Sequence, residues 1–264
     1  MLGSIIGDIV GAVYEFDNFR HTDFEPFFHP NAFFTDDTVC TIAVADALTS
    51  MGKGAAWSLK DWGRRYWHIG GWGARFGDWL QSDSYRPYGS YGNGAAMRVS
   101  PAGLLGQTLK ETISYARWVT EVTHDHPEGL KGAEATAVAI FFAKQGSDPA
   151  MIRKEIESRY GYDLSTPIDV IRKSYQFNET CQETVPQALN CALSAHDFES
   201  AVRNAISIGG DSDTVAAIAG GLAEALFGIP KKIALQGISF LPEEMLGVLD
   251  TLYNYSESPC PWQG

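Results

Sequence analysis

Apolar residues along this chain recur at helical spacing more often than in strand alternation. The opening GSIIGDIVGAVYEF (Gly3–Phe16) reads as one helix, with Asp8 and Glu15 seven positions apart and so on a common face. FFTDDTVCTIAVADALTS (Phe33–Ser50) begins polar and then runs into an apolar helix. Thr108-Leu-Lys-Glu111 has the spacing of a capping box ahead of a helix reaching roughly to Val122. Pro127 suits the first position of a long helix through Ala143, and Asp148-Pro149 repeats a cap-then-proline start. Asp197 is placed to cap FESAVRNAISI. The stretch IGGDSDTVAAIAGGLAEALFG (Ile208–Gly228) predicts a buried helix, halted by Gly228 and Pro230. Alternating runs are short, no βαβ rhythm appears, and no repeat has a solenoid period. The pattern predicts an all-α fold, a single compact multi-helix domain over residues 1–264. Only Gly70–Gly94, rich in Gly and aromatics, departs from helical periodicity and reads as a long loop, functional or merely a surface excursion.

Composition narrows the function classes. A 45% apolar chain of 264 residues can bury a large core. Its net charge of −12 argues against nucleic-acid binding through a basic face, though not against a small anionic ligand. No run is long enough to span a bilayer, and the apolar opening lacks a basic leader region, so it reads as a mature helix. Cys40, Cys181, Cys191 and Cys260 show no CxxC spacing, which points to a reducing cytoplasm.

The candidate chemistry lies in carboxylates. Asp211 and Asp213 enter the first turn of an apolar helix, where acidic side chains are stabilised by the helix dipole at about 0.3–1 kcal/mol each. Capping explains one of them, and a metal site explains both; on this motif alone the two readings stand level. Thr35-Asp36-Asp37-Thr38 repeats the theme at a second helix start. All of these donors are hard oxygens, suited to Mg²⁺, Mn²⁺ or Ca²⁺ and not to Zn²⁺. If the two starts converge, four carboxylates meet and raise one another's pKa unless cations neutralise them. Gly3, Gly7 and Gly11 recur every four positions and leave a flat face. Ala216/Gly220 and Ala217/Gly221 offer matching small faces, so close packing would bring Glu15 towards the carboxylates.

Five motifs occur in a recognisable order: GDIVGAVYE (Gly7–Glu15), TDDT (Thr35–Thr38), YGNGAAMRVSPAG (Tyr91–Gly103), the histidine of THDHPEG (Thr123–Gly129) and GGDSDTVAAIAGG (Gly209–Gly221). Together they make the chain resemble the ADP-ribosylglycohydrolase family over nearly its whole length. The resemblance implies an all-helical fold holding two divalent cations, Mg²⁺ or Mn²⁺, on the floor of a cleft. It implies that Thr35, Asp36 and Asp37 serve one cation and that Asp211, Asp213 and Thr214 complete the pair. Glu15 falls on a mobile, metal-proximal glutamate, and either it or Asp36 would act as the base. Gly89, Ser90, Tyr91, Gly92, Asn93, Gly94 and Ala95 fall on the loop holding the phosphates and ribose, and His124 on a ligand-contacting histidine. Backbone N–H groups where that loop starts a helix suit a pyrophosphate, while Arg98 could meet a phosphate or pair with an acid and reads as structural. His124-Asp125-His126 lacks further ligands for zinc.

The implied activity is hydrolysis of the glycosidic bond in an ADP-ribosylated protein or small ADP-ribose conjugate. Arginine, serine, another residue or O-acetyl-ADP-ribose are equally open as the acceptor. Two rival readings use the same residues: a two-metal phosphohydrolase of nucleotide pyrophosphates, and a non-catalytic ADP-ribose-binding protein.

Overall fold

The computed structural model describes residues 1–50, 52 and 54–263. Its first half runs α1 (Leu2–Gly11), α2 (Asp36–Thr49), α3 (Ala55–Arg65), α4 (Ala74–Gln81), α5 (Gly94–Met97), α6 (Ser100–Leu105) and α7 (Leu109–Thr120). The second half runs α8 (Pro127–Lys144), α9 (Pro149–Tyr160), α10 (Ile168–Ser174), α11 (Cys181–Leu193), α12 (Phe198–Ser207), α13 (Ser212–Phe227), α14 (Lys231–Ile238) and α15 (Glu243–Ser256). Among the described residues there is no strand, only an isolated bridge between Gly92 and Thr180. Among the described residues no helix is long and apolar enough to cross a membrane.

Local side-chain chemistry sets several helix starts as the sequence predicts. Thr108 Oγ1 accepts from Glu111 N, although Glu111 reaches back to Gln107 N rather than to the cap itself. Asp148 caps α9 through Met151 N, and Asp197 shares a full capping box with Ser200. Gly228 ends α13 at φ 71°, a backbone region that side chains disfavour.

Two elements differ from expectation. The α-helical part of α1 stops at Gly11, and Ala12–Tyr14 tighten into a 3₁₀ turn, a common way for a helix to end. Asp8 and Glu15 therefore do not belong to one continuous α-helix. The Gly70–Gly94 stretch contains α4, because ARFGDWLQ places Phe76, Trp79 and Leu80 at i, i+3 and i+4 on a buried face.

The core is organised around α13, buried from Ser212 to Ala223 and packed against α1, α8, α11 and α12. The α1–α13 seam is backbone against backbone. A Cβ on Gly3 would lie 2.2 Å from Gly220 O, and one on Gly11 would lie 2.6 Å from Ser212 O. This seam brings the end of α1 beside the start of α13.

Candidate active site

Asp8 is a fully buried carboxylate inside an apolar helix. It accepts from Thr35 N at 3.0 Å, Thr35 Oγ1 at 2.8 Å and Thr38 N at 3.0 Å, with Thr38 Oγ1 also donating to it. Asp8 thus ties the start of α2 to α1. Thr35 Oγ1 in turn accepts from Asp37 N at 3.2 Å, so Thr35 is the N-cap of α2. At α13, Thr214 Oγ1 donates to Asp37 Oδ2 at 3.0 Å, which links the two helix starts directly. Asn93 Nδ2 donates to Asp211 Oδ2 at 2.6 Å and brings in the glycine-rich turn. Carboxylate oxygens of Glu15, Asp211 and Asp213 lie within 4.8 Å of one another.

Several of these groups line a cavity of about 460 Å³. Asp36, Asp37, Asp211, Asp213, Thr214 and Glu15 all line it, so the convergence on which the sequence argument depends is present. Ser90, Tyr91, Gly92, Asn93, Gly94 and His124 line it as well. Three expected residues are not on its wall. The Thr35 side chain is engaged by Asp8, Gly89 N donates to Asp125 Oδ1 at 2.7 Å, and Ala95 is fully buried. The turn also differs from the expected row of open N–H groups. Gly92 N donates to Ser90 Oγ, Asn93 N to Glu179 O and Ala95 N to Gly92 O, and the helix that follows is a single turn.

Burial and mutual repulsion dominate the electrostatics. Burial, then the Asp213, Asp8 and Glu179 charges, push Glu15 up to about 8. Burial is again the first cause for Asp36, Asp37 and Asp213, which all stand well above the usual carboxylate range, with neighbouring carboxylates adding to it. Burial raises Asp211 only to about 6, because hydrogen bonds from Asp213 and then from the Asn93 amide support its charge. Buried like charges supplied entirely by hard oxygens form a donor set that fits divalent cations of the Mg²⁺ and Mn²⁺ type.

Several wall residues were not singled out as site residues by sequence reasoning. Glu179 faces Glu15 across the cavity, and Arg75 approaches from α4. Gly71 lies over Asp36, where a Cβ would come within 2.7 Å of Asp36 Oδ1. Arg98, read as structural, lines the cavity too. No local pattern marks Glu179 or Arg75, while the lone Asp8 in an apolar helix was the one available signal for its organising role. A larger cavity of about 630 Å³ lies between Lys131 and the 174–187 region. It shares no lining residue with the carboxylate-lined cavity, so the chemistry belongs to the smaller one.

Comparison with known proteins agrees with this geometry. A sequence model of the family described as ADP-ribosylglycohydrolase matches residues 1–260. ADP-ribosylhydrolase ARH3 of Mus musculus is 26% identical, covering 87% of this chain and 83% of that one. ADP-ribosylarginine hydrolase Tri1 of Pseudomonas putida is 27% identical, covering 87% of this chain and 70% of that one. The solved structure of an ADP-ribosylglycohydrolase-related protein complex aligns with a TM-score of 0.73 and 26% identity, over 97% of this chain and 95% of the other. With the match spanning almost every residue and the carboxylates gathered in one cavity, the chain belongs to the ADP-ribosylglycohydrolase family.

Proposed function

We propose that this chain is a hydrolase cleaving the glycosidic bond at the anomeric carbon of the distal ribose in an ADP-ribosyl adduct, with release of ADP-ribose. The observation carrying this reading is the assembly of carboxylates from two distant helix starts, with Glu15, on the wall of a nucleotide-sized cavity. Asp36, Asp37, Asp211, Asp213 and Thr214, with Thr35 behind them, would hold a pair of divalent cations, Mg²⁺ or Mn²⁺. When held there, such cations supply charge neutralisation and Lewis acidity towards water.

The chain's own groups do the rest. The segment from Ser90 to Gly94, with His124, lines the same cavity beside the carboxylates and suits the phosphates and ribose. Water adds to the anomeric carbon while the bond to the acceptor breaks, and the acceptor leaves with a proton. Asp36 or Glu15 takes the proton from the attacking water. Arg75 and Arg98 provide positive charge along a wall that the carboxylates would otherwise make repulsive to a diphosphate.

The test is a panel of ADP-ribosylated acceptors and small conjugates, each incubated with Mg²⁺, Mn²⁺ or EDTA, with products identified by mass spectrometry. ADP-ribose should appear only with metal, and Asp36→Ala and Asp211→Ala should each abolish its release. Release of AMP would establish a phosphohydrolase instead, and ADP-ribose binding without turnover would establish a reader.

A further inference from the structure

The two ring nitrogens of His124 meet different surroundings. Nδ1 lies 2.8 Å from Thr123 Oγ1 and 3.4 Å from Arg98 Nη2. Arg98 Nη2 also donates to Thr123 Oγ1 at 2.6 Å. A guanidinium has only donors and stays charged at any working pH. Thr123 Oγ1 therefore accepts from Arg98 and retains its own proton for Nδ1. A proton on Nδ1 would point at that same guanidinium. Nδ1 must accept, and a neutral imidazole then carries its single proton on Nε2. Burial, with the Arg98 and Arg75 charges, holds His124 well below its ordinary pKa, so the ring is neutral. Nε2 sits over the glycine turn, 3.4 Å from where a Cβ on Gly94 would be and 3.6 Å from one on Gly92.

We propose that Arg98 and Thr123 are positioning residues that fix His124 as its Nε2–H tautomer, aiming a neutral hydrogen-bond donor at an oxygen of the bound ADP-ribosyl unit. The identity of that ligand rests on the function proposed above; the tautomer does not. Arg98 is 1% exposed, and its partners are Thr123, His124, the Cys40 thiol and the Phe76 ring at 5.6 Å. It carries a buried charge towards a histidine rather than towards a carboxylate. That placement gives it a part in the site which a purely structural reading omits.

The test uses the full chain with Mg²⁺ and reads two quantities. Long-range ¹⁵N–¹H correlation of histidine-labelled protein, with His124 assigned by its loss in His124→Gln, reports which nitrogen is protonated. Titration with ADP-ribose reports affinity without requiring turnover. In the parent protein His124 should show Nε2 protonated and Nδ1 bare. Thr123→Val, which keeps the side-chain shape, should give a mixed tautomer signature and weaken ADP-ribose by roughly 3–10-fold, the worth of one neutral hydrogen bond. Thr123→Ser should restore both. Arg98→Lys should lose the fixed tautomer, and since Arg98 is buried, the Thr123 pair keeps the test decisive if that variant does not fold. A proton on Nδ1 in the parent protein, or unchanged tautomer and affinity in Thr123→Val, would overturn the inference. If Thr123→Val behaves as expected while no ADP-ribosyl substrate is ever hydrolysed, the proposed function fails and the positioning role stands.

Discussion

Gly7→Ala and Gly247→Ala are the same chemical change and should have opposite effects. A Cβ on Gly7 would lie 2.0 Å from Ala216 O, 2.3 Å from Ala216 C and 2.7 Å from Ala217 N. Ordinary non-bonded contacts need about 3.5 Å, so α1 and α13 must separate by on the order of 1.5 Å. All three opposing atoms are helix backbone, and no rotamer change relieves them. Overpacking of this kind costs about 3 kcal/mol at the upper end of its usual range. The better helix propensity of Ala offsets about 1 kcal/mol, leaving a net loss of about 2 kcal/mol. Activity should fall as well, because α1 carries Asp8, which ties down the Thr35–Thr38 turn, and leads into Glu15. Gly247 sits in α15 with no atom within 4 Å of an added Cβ. There the same change should raise stability by about 1 kcal/mol and leave turnover alone. Urea unfolding and initial rates with Mg²⁺ measure both variants. A Gly7→Ala protein as stable as the parent would refute the close-packed seam.

The metal-free protein should lose stability as pH rises. Asp8 and Asp211 are raised to about 6 and Glu15 to about 8, so the stability from their protonation is present below the ordinary carboxylate range and is lost as pH climbs through those values. For a fully buried group such as Asp8 the loss is about 3 kcal/mol across the whole span, of which about 1.4 kcal/mol falls above pH 5. Urea unfolding in EDTA at pH 5 and pH 8 should show the decline, and saturating Mg²⁺ or Mn²⁺ should flatten it; stability that rises over this window in EDTA would count against the cluster. Asp213→Asn should stabilise the EDTA-treated protein at pH 8, since it removes one buried charge, while eliminating both turnover and the thermal shift produced by cations.

What the sequence discloses about this fold is what depends on three or four neighbouring residues. Thr108, Asp148 and Asp197 cap helices through contacts to the third residue onward, so their roles are readable without tertiary information. The end of α1 and the existence of α4 were less legible. The first depends on how Gly11 meets α13, and the second is a two-turn helix hidden among glycines and aromatics. The site divides the same way. Paired carboxylates at two helix starts are local motifs, and the small faces of α1 and α13 suggested their convergence. Glu179 reaches the cavity because Asn93 N donates to Glu179 O and Cys181 N to Tyr91 O, pairing segments far apart in the chain. No periodicity records such a pairing. Arg98's surroundings were not legible either, because its partners are a threonine and a histidine, while sequence reasoning looks for an acid.

Whether the acidic helix starts are caps or ligands can be decided by comparing magnitudes. The cap of α2 is Thr35, which leaves Asp36 and Asp37 without that duty. Asp211 occupies the N-cap position of α13 yet makes no side-chain cap bond there; its oxygen accepts from Asn93 instead. Favourable interaction with a helix dipole contributes about 0.3–1 kcal/mol per carboxylate. Holding Asp211 ionised against a pKa of about 6 costs about 3 kcal/mol near neutral pH, and Asp36, Asp37 and Asp213 are raised further. The dipoles of α2 and α13 therefore offset only a fraction of the cost of gathering these acids. A fold needing nothing more than helix starts would keep Thr35 and discard the rest. The remaining carboxylates become favourable when positive charge sits among them, which is the physical argument for the cation sites proposed above and would tie the stability of this corner of the fold to their occupancy.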